Sequence, residues 1–507
     1  MFSLNPSRYL KGLPLDYCTN FSKVSSYFAK DYQEIKPRKR KVSDDVITCI
    51  ESYSKKINAP PTVFENIEAL KEERPVICTG QQPCLLTGPL FVIYKALTAV
   101  VLAEKVKGVP VFWNASEDDD VSEVNHIWVL NSDLKKISVD LEVNPFNKIR
   151  VEPADLQYII DQLEALTPPT EFRADVLRII EKCSQPFSQS FSQILSTLLS
   201  DYGLIVVEPE IFTGLVTPVY QKFIEHPVKA AQLVNKAGSF LENSGYKRQL
   251  HKPDDSCSFY LLFGDKRHAV FYNGNFQANE DTFTKKELFD LLDEHPDCFS
   301  SNVISRPVIQ DFLFSTLAYC AGPGEISYFA QMKEVYQFFD IEEPYIVPRF
   351  GTTVIEKKVQ KVLEKYSIDI YDLENPERIL KTLARGDISK FFNKSKGEVI
   401  KTLQKIEDYM NSVDPNLKRT SRAMQTHILK DLAALEEKTA TAVKRENSTM
   451  ETQIMKASTN VFPHRMLQER VLNIFQYVIR YKSLIGDLYQ NFQNAPLGEH
   501  ILFRPGD

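Results

Sequence analysis

The chain is 507 residues long, more than a single hydrophobic core of ~250–300 residues can organise, so it exceeds one small module and about two or three structural units are expected. With 43% hydrophobic and 25% charged residues, 18 glycines and 28 prolines, the composition excludes a disordered or fibrous chain. A net charge of −6 supplies no field that would gather nucleic acid, and no nucleic-acid partner is expected.

The first seventy residues are aromatic and charged and read as helical. Lys36, Arg38, Lys39, Arg40 and Lys41 around Pro37 form a basic run that fits a solvated linker or helix face, or a patch for an acidic partner. After the Ala59-Pro60-Pro61 break the texture changes. Val76-Ile77-Cys78 reads as a short strand, Thr79 to Gly88 as a turn rich in Gly, Pro and Gln, and Pro89 to Val106 as a buried helix that Gly108 stops. Lys95 interrupts the longest apolar stretch, Leu90 to Ala103, which falls short of the ~20 residues of a bilayer span. With MFSLNPSRYLKG lacking an apolar h-region, no membrane partner and a cytoplasmic location are expected.

Val109 to Trp113 is apolar without alternation, the pattern of a strand buried on both faces in a parallel sheet, and it completes a βαβ unit. Gly203 to Val207 and Tyr345 to Val347 are candidates for further parallel strands. Phe259 to Phe263 and His268 to Tyr272, joined around Gly264-Asp265-Lys266, predict a hairpin in an inserted lobe at about 210–300. These elements give an α/β core over 1–385. From Val399 the period changes: Val399, Leu403, Ile406, Met410 and Val413 form a heptad seam, and after Asp414-Pro415-Asn416 a second stripe follows through Ile428, Leu432, Leu435, Thr439 and Ala442. The prediction is an antiparallel coiled-coil arm over 386–457, ~45 Å long at 1.5 Å per residue, that pairs with a second subunit. Residues 458–507, with Phe462, Leu467, Val471, Ile474 and Phe475, then return to the core as helices. The eight cysteines have no CxxC or Cys/His ligand spacing, which suits reduced thiols, and no metal site is expected.

Three segments carry candidate chemistry. Thr79, Gly80, Gln81 and Gln82, through Gly88 and Pro89, occupy a strand-to-helix turn, where free N–H groups can meet an anion; a tight turn with capping glutamines is the other reading. Glu117, Asp118, Asp119 and Asp120, with Glu123 and His126, follow the strand that ends at Trp113. Acids so crowded should have raised pKa values or hold a cation or an amine, unless they form a solvated helix cap. Arg306 offers a fork for a carboxylate or phosphate beside Gln310 and Asp311, and Gly322-Pro323-Gly324 imposes an irregular backbone before Glu325 and Tyr328; a structural Arg–Asp pair is the alternative.

In this order and spacing, TGQQPCLLTGPL, PVFWNASEDDDVSEVNH, RPVIQDFL with AYCAGPGEISYF, PRFGTT around Arg349, and FPHRMLQERVLNIF resemble the bacillithiol biosynthesis cysteine-adding enzymes over nearly the whole chain. The resemblance implies a Rossmann-like core with connecting lobes, a coiled-coil arm used in dimerisation, and amide ligation of cysteine to glucosaminyl malate. Uphill amide formation implies ATP as activator, with Mg²⁺ as its counter-ion. Glu117, Asp118, Asp120, Arg306 and Asp311 are then the expected catalytic set, and Trp113, Asp119, His126 and Arg349 join the binding residues named above. Three positions depart from the family pattern: Asp119 stands for a histidine, Cys84 for a glycine and Ser315 for a proline. Asp119 favours a rival class, a nucleotidyl or aminoacyl transferase acting on another small acceptor, and a non-catalytic dimeric metabolite-binding scaffold is also open.

Overall fold

Every residue of Val109–Asn114 is buried. Val111 and Trp113 pack into one apolar cluster, while Phe112 between them packs into another. A strand apolar on both faces must be covered on both, as in a parallel sheet flanked by helices. The computed structural model describes residues 2–181, 183, 186–264 and 266–506, with the side chains of all of these except 2, 381–388, 440 and 442–447. In it five strands form one parallel sheet: β1 (Val76–Gln81), β2 (Val109–Asn114), β3 (Ile205–Val207), β4 (Ala318–Ala321) and β5 (Tyr345–Pro348). Their spatial order is β5-β4-β1-β2-β3, with every pairing parallel. This is the Rossmann-like 3-2-1-4-5 winding, which reverses direction between β1 and β4 and there opens a crevice at the C-terminal edge.

Between β1 and β2 runs α1 (Phe91–Val106), in which Val92 through Ala103 are all buried. The left-handed residue that ends this helix is Lys107, at φ 54°, and not Gly108 as expected. Glycine at 108 answers another demand: a Cβ there would stand 2.4 Å from the Pro75 carbonyl oxygen.

Between β3 and β4 the chain builds an antiparallel sheet in the order Asp281–Phe283, Phe276–Ala278, Lys266–Tyr272, Ser256–Phe263, Phe299–Ser301. The expected hairpin is its centre; Asp265, in the turn, lies outside the described residues. α2 (Ser305–Phe314) leads from this lobe into β4, and α3 (Pro323–Phe329) leaves β4. Upstream of the sheet lie helices Asp44–Lys56 and Pro61–Lys71. The basic run is a loop before them; its Arg40 pairs with Glu342 at 2.9 Å, as does Lys30 ahead of the run at 2.6 Å.

The chain divides into two compact units, residues 1–354 with 467–507 and residues 355–466. In the first, His500–Phe503 pairs with Gly351–Val354 and Phe2–Ser3, and Val471, Ile474 and Phe475 are buried in the cluster that holds Phe112. In the second, α4 (Pro376–Val413) and α5 (Leu417–Val461) are antiparallel, with ion pairs Lys396–Glu436 at 2.5 Å and Arg422–Glu407 at 3.1 Å. Residues 385 and 386, where the arm was expected to begin, lie within α4. The expected seam is covered only in part: Ile406, Val413 and Leu435 are 48%, 66% and 54% exposed, while Glu407 is buried. The side chain of Ala442 lies outside the described ones. Among the described residues no helix is long and apolar enough to cross a membrane.

Candidate active site

β1 and β2 end at Gln81 and Asn114, and their ends open on a cavity of about 280 Å³ beside the β1/β4 switch point. Gly80, Gln81 and Trp113 line it from the strands, and Gln82, Glu117 and Asp118 from the loops that follow. Arg306 of α2, Tyr319 of β4, and Glu325 and Tyr328 of α3 line it as well. The inserted lobe adds Arg267 and Ser301.

The charges are arranged in pairs, with two left over. Lys95, fully buried on α1, places Nζ 2.7 Å from Glu325 Oε2 and donates to the Gly80 carbonyl and to Gln81 Oε1. Glu325 also accepts from the Tyr319 hydroxyl and the Gly322 N–H, both at 2.7 Å. Burial pushes the Glu325 carboxyl up, but Lys95 and these donors outweigh it and hold the group below its ordinary range. Arg267 Nη1 lies 3.0 Å from Asp118 and 3.4 Å from Asp119, its Nη2 donates to the Ser301 carbonyl at 2.8 Å, and its guanidinium covers the Tyr260 ring. Glu117 has no ion-pair partner among the described residues; its Oε2 accepts from Ser301 N–H at 2.9 Å and Ser301 Oγ at 2.6 Å. Burial raises its pKa despite these bonds. Arg306 likewise has no ion-pair partner among the described residues. It donates to the neutral Gln310 Oε1 at 3.3 Å and the Tyr328 hydroxyl at 2.6 Å.

Other expected residues lie elsewhere. The Thr79 hydroxyl donates to the Cys320 carbonyl at 2.9 Å and ties β1 to β4. Gly88, at φ 66°, and Pro89 do not line the cavity, and the anion site expected at the start of α1 is taken up by the chain's own C-terminal segment. The Leu90 N–H donates to the Leu472 carbonyl at 2.9 Å, and Asn473 Nδ2 donates to the carbonyls of Leu86 and Gly88. Asp119 and Asp120 stand outside the cavity lining; Asp120 accepts from the Ser122 hydroxyl at 2.7 Å. His126 lies on strand His126–Leu130, where burial and Lys136 lower its pKa.

Asp311 is buried behind Arg306, accepting from Tyr336 and Gln310, and burial pushes it up to about 6. Gln310 bridges it to Arg306. Gly322 has ordinary extended angles (φ −79°, ψ 170°) and caps α3, so the Gly-Pro-Gly segment is regular rather than irregular. A Cβ on Gly324 would meet nothing within 4 Å. Arg349 is committed to Glu469 at 2.6 Å. Cys84 is buried, its thiol pushed up to about 12 by desolvation. Ser315 ends α2 at φ 46°, a conformation closed to proline.

The sequence reading missed Lys95, Arg267, Ser301 and Tyr319. Lys95 did leave a signal: a single charge inside an apolar stretch, here Leu90 to Ala103, is expelled unless a partner waits inside.

A Rossmann-like sheet with a polar cleft beside its switch point, together with an antiparallel helical hairpin, defines an α/β protein with a coiled-coil domain. Comparison with known proteins gives the same two parts. The model of the bacillithiol biosynthesis BshC N-terminal Rossmann-like domain matches residues 4–350, and that of the BshC C-terminal coiled-coil domain matches residues 352–504. A Salinibacter ruber protein named "Putative cysteine ligase BshC" is 30% identical over 94% of this chain and 93% of its own. Relatives of the same name from Chlorobaculum tepidum (32% identical, 86% and 84% covered) and Desulforamulus reducens (27%, 98% of each) are also similar. The chain belongs to the bacillithiol biosynthesis BshC family.

Proposed function

We propose that this protein is a cysteine ligase that joins L-cysteine to glucosaminyl malate through an amide bond, as the last step of bacillithiol synthesis. Family membership supplies the reaction. The observation that carries it to this chain is Arg306, a cationic side chain in the cleft whose hydrogen bonds go only to neutral groups and which is therefore available to a carboxylate. Joining a carboxyl to an amine in water is uphill, so the acid must first be activated, and ATP is the proposed cosubstrate. The acidic run is a poor Mg²⁺ cage, because Glu117 is tied to Ser301, and Asp118 and Asp119 to Arg267; Mg²⁺ would instead travel with the nucleotide phosphates. Glu117 and Asp118 offer carboxylates to a substrate ammonium, and Gln310 and Asp311 position Arg306 from behind.

We further propose a cytoplasmic homodimer assembled through the arm, whose apolar stripe is exposed at Ile406, Val413 and Leu435. The test is mass spectrometry of wild type, Arg306→Ala and Asp118→Asn incubated with cysteine, glucosaminyl malate and ATP. Loss of the amide product in both variants is expected, and wild-type turnover in both would sink the assignment.

A further inference from the structure

The pairing of charges around the cleft leaves a particular remainder. Among the charges at the cavity, Lys95 is balanced by Glu325 and Arg267 by Asp118, while Asp119 lies outside the lining. What is left is one cation, Arg306, and one carboxylate, Glu117, each held only by neutral donors or acceptors. A site with one unbalanced charge of each sign complements a dipolar ion. It disfavours a dicarboxylate such as the malate moiety, which would need two free cations and would meet Glu117. It disfavours a polyphosphate for the same reason.

Size points the same way. About 280 Å³ is at the lower end of small-molecule cavities and amply holds a small amino acid.

We propose that this cleft is an α-amino-acid pocket, with Arg306 receiving the α-carboxylate and Glu117 the α-ammonium. The proposal deepens the ligase reading, on which it rests for naming L-cysteine as the amino acid. It leaves glucosaminyl malate outside the cavity, reaching the carboxylate end from the open side.

Equilibrium dialysis of the full chain decides it, with and without ATP and glucosaminyl malate. The probes are L-cysteine, cysteamine, which lacks the carboxylate, 3-mercaptopropionate, which lacks the ammonium, and L-malate. Wild type should bind L-cysteine about tenfold or more tightly than either truncated thiol, the usual worth of a hydrogen bond to a charged group, and L-malate should not compete. Glu117→Gln should weaken L-cysteine by a similar factor and leave 3-mercaptopropionate unchanged; Arg306→Gln should weaken L-cysteine and leave cysteamine unchanged. Failure of L-cysteine to bind under any of these conditions overturns the proposal. So do equal binding of all three thiols and competition by L-malate. The thiol and malate comparison on wild type needs no folded variant. Product formation in the ligation assay without this pattern removes the pocket and keeps the ligase; the pattern without product does the reverse.

Discussion

Lys95 Nζ lies 2.7 Å from Glu325 Oε2, and the pair joins the second turn of the core's first crossover helix to the helix that follows β4. Because the same ammonium holds the Gly80 carbonyl and the Gln81 side chain, one buried charge fixes the spacing between the two sides of the switch point. Removing only one member of such a pair strands the other in a low-dielectric interior. Lys95→Met is therefore expected to cost about 3–5 kcal/mol. Lys95→Met combined with Glu325→Gln should cost less than the sum of the two single changes, as read from urea midpoints.

Arg267 connects the inserted lobe to the acidic loop. Arg267→Gln releases Asp118 and Asp119 and leaves the Ser301 carbonyl short of a donor. Cysteine-dependent product formation at limiting substrate should fall about 10–100-fold, with folding retained in circular dichroism. Unchanged turnover would remove the lobe from the site.

Glu208 sits at 0% exposure among Tyr53, Asn114, Ser188 and Ser192, and burial pushes its carboxyl up to about 7 from 4.5. A carboxyl that protonates more readily when folded supports the fold fully below its unfolded pKa and loses that support as pH rises through the folded value. Wild-type stability should therefore decline between about pH 4.5 and 7 through this group. Glu208→Gln should flatten that limb, so that its stability relative to wild type improves by on the order of 3 kcal/mol from pH 4.5 to 8. Urea midpoints of both proteins at the two pH values give the comparison.

Asn473 donates to two carbonyls of the Leu86–Gly88 turn. Asn473→Ala leaves both buried acceptors unpaired and should lower stability by about 1–3 kcal/mol, visible as a lower melting temperature.

For the arm, Ile406→Glu together with Leu435→Glu puts charge on two exposed apolar positions. Sedimentation velocity should show wild type as a dimer and the double variant as a monomer. A wild-type monomer at micromolar concentration would end the dimer proposal.

Val109 to Trp113 announced the buried sheet because a strand covered on both faces leaves no polar alternation to misread. The hairpin at Ser256–Phe263 was equally plain, since pairing between chain neighbours is written locally. The site was legible where composition marks it: Gly80, Gln82, Glu117, Asp118, Arg306 and Glu325 do line one cavity. What stayed hidden depends on distant partners. Asp118 meets Arg267 across 149 positions, and the start of α1 meets a segment more than 380 residues away, so no local pattern could show that either was already taken. Gly108 misled for a related reason, being small for the sake of Pro75 rather than for the helix it follows.

The cap that Leu472 and Asn473 place over the start of α1 also bears on synthesis. Domains generally fold as units during translation, N-terminal parts first. Here the opening crossover of the core keeps unsatisfied backbone groups until residue 473 has left the ribosome. The cleft beside it is therefore completed only when the chain is almost finished, and a product cut short within the helical hairpin would carry every residue that lines the cavity and still lack the strap that closes the fold around them.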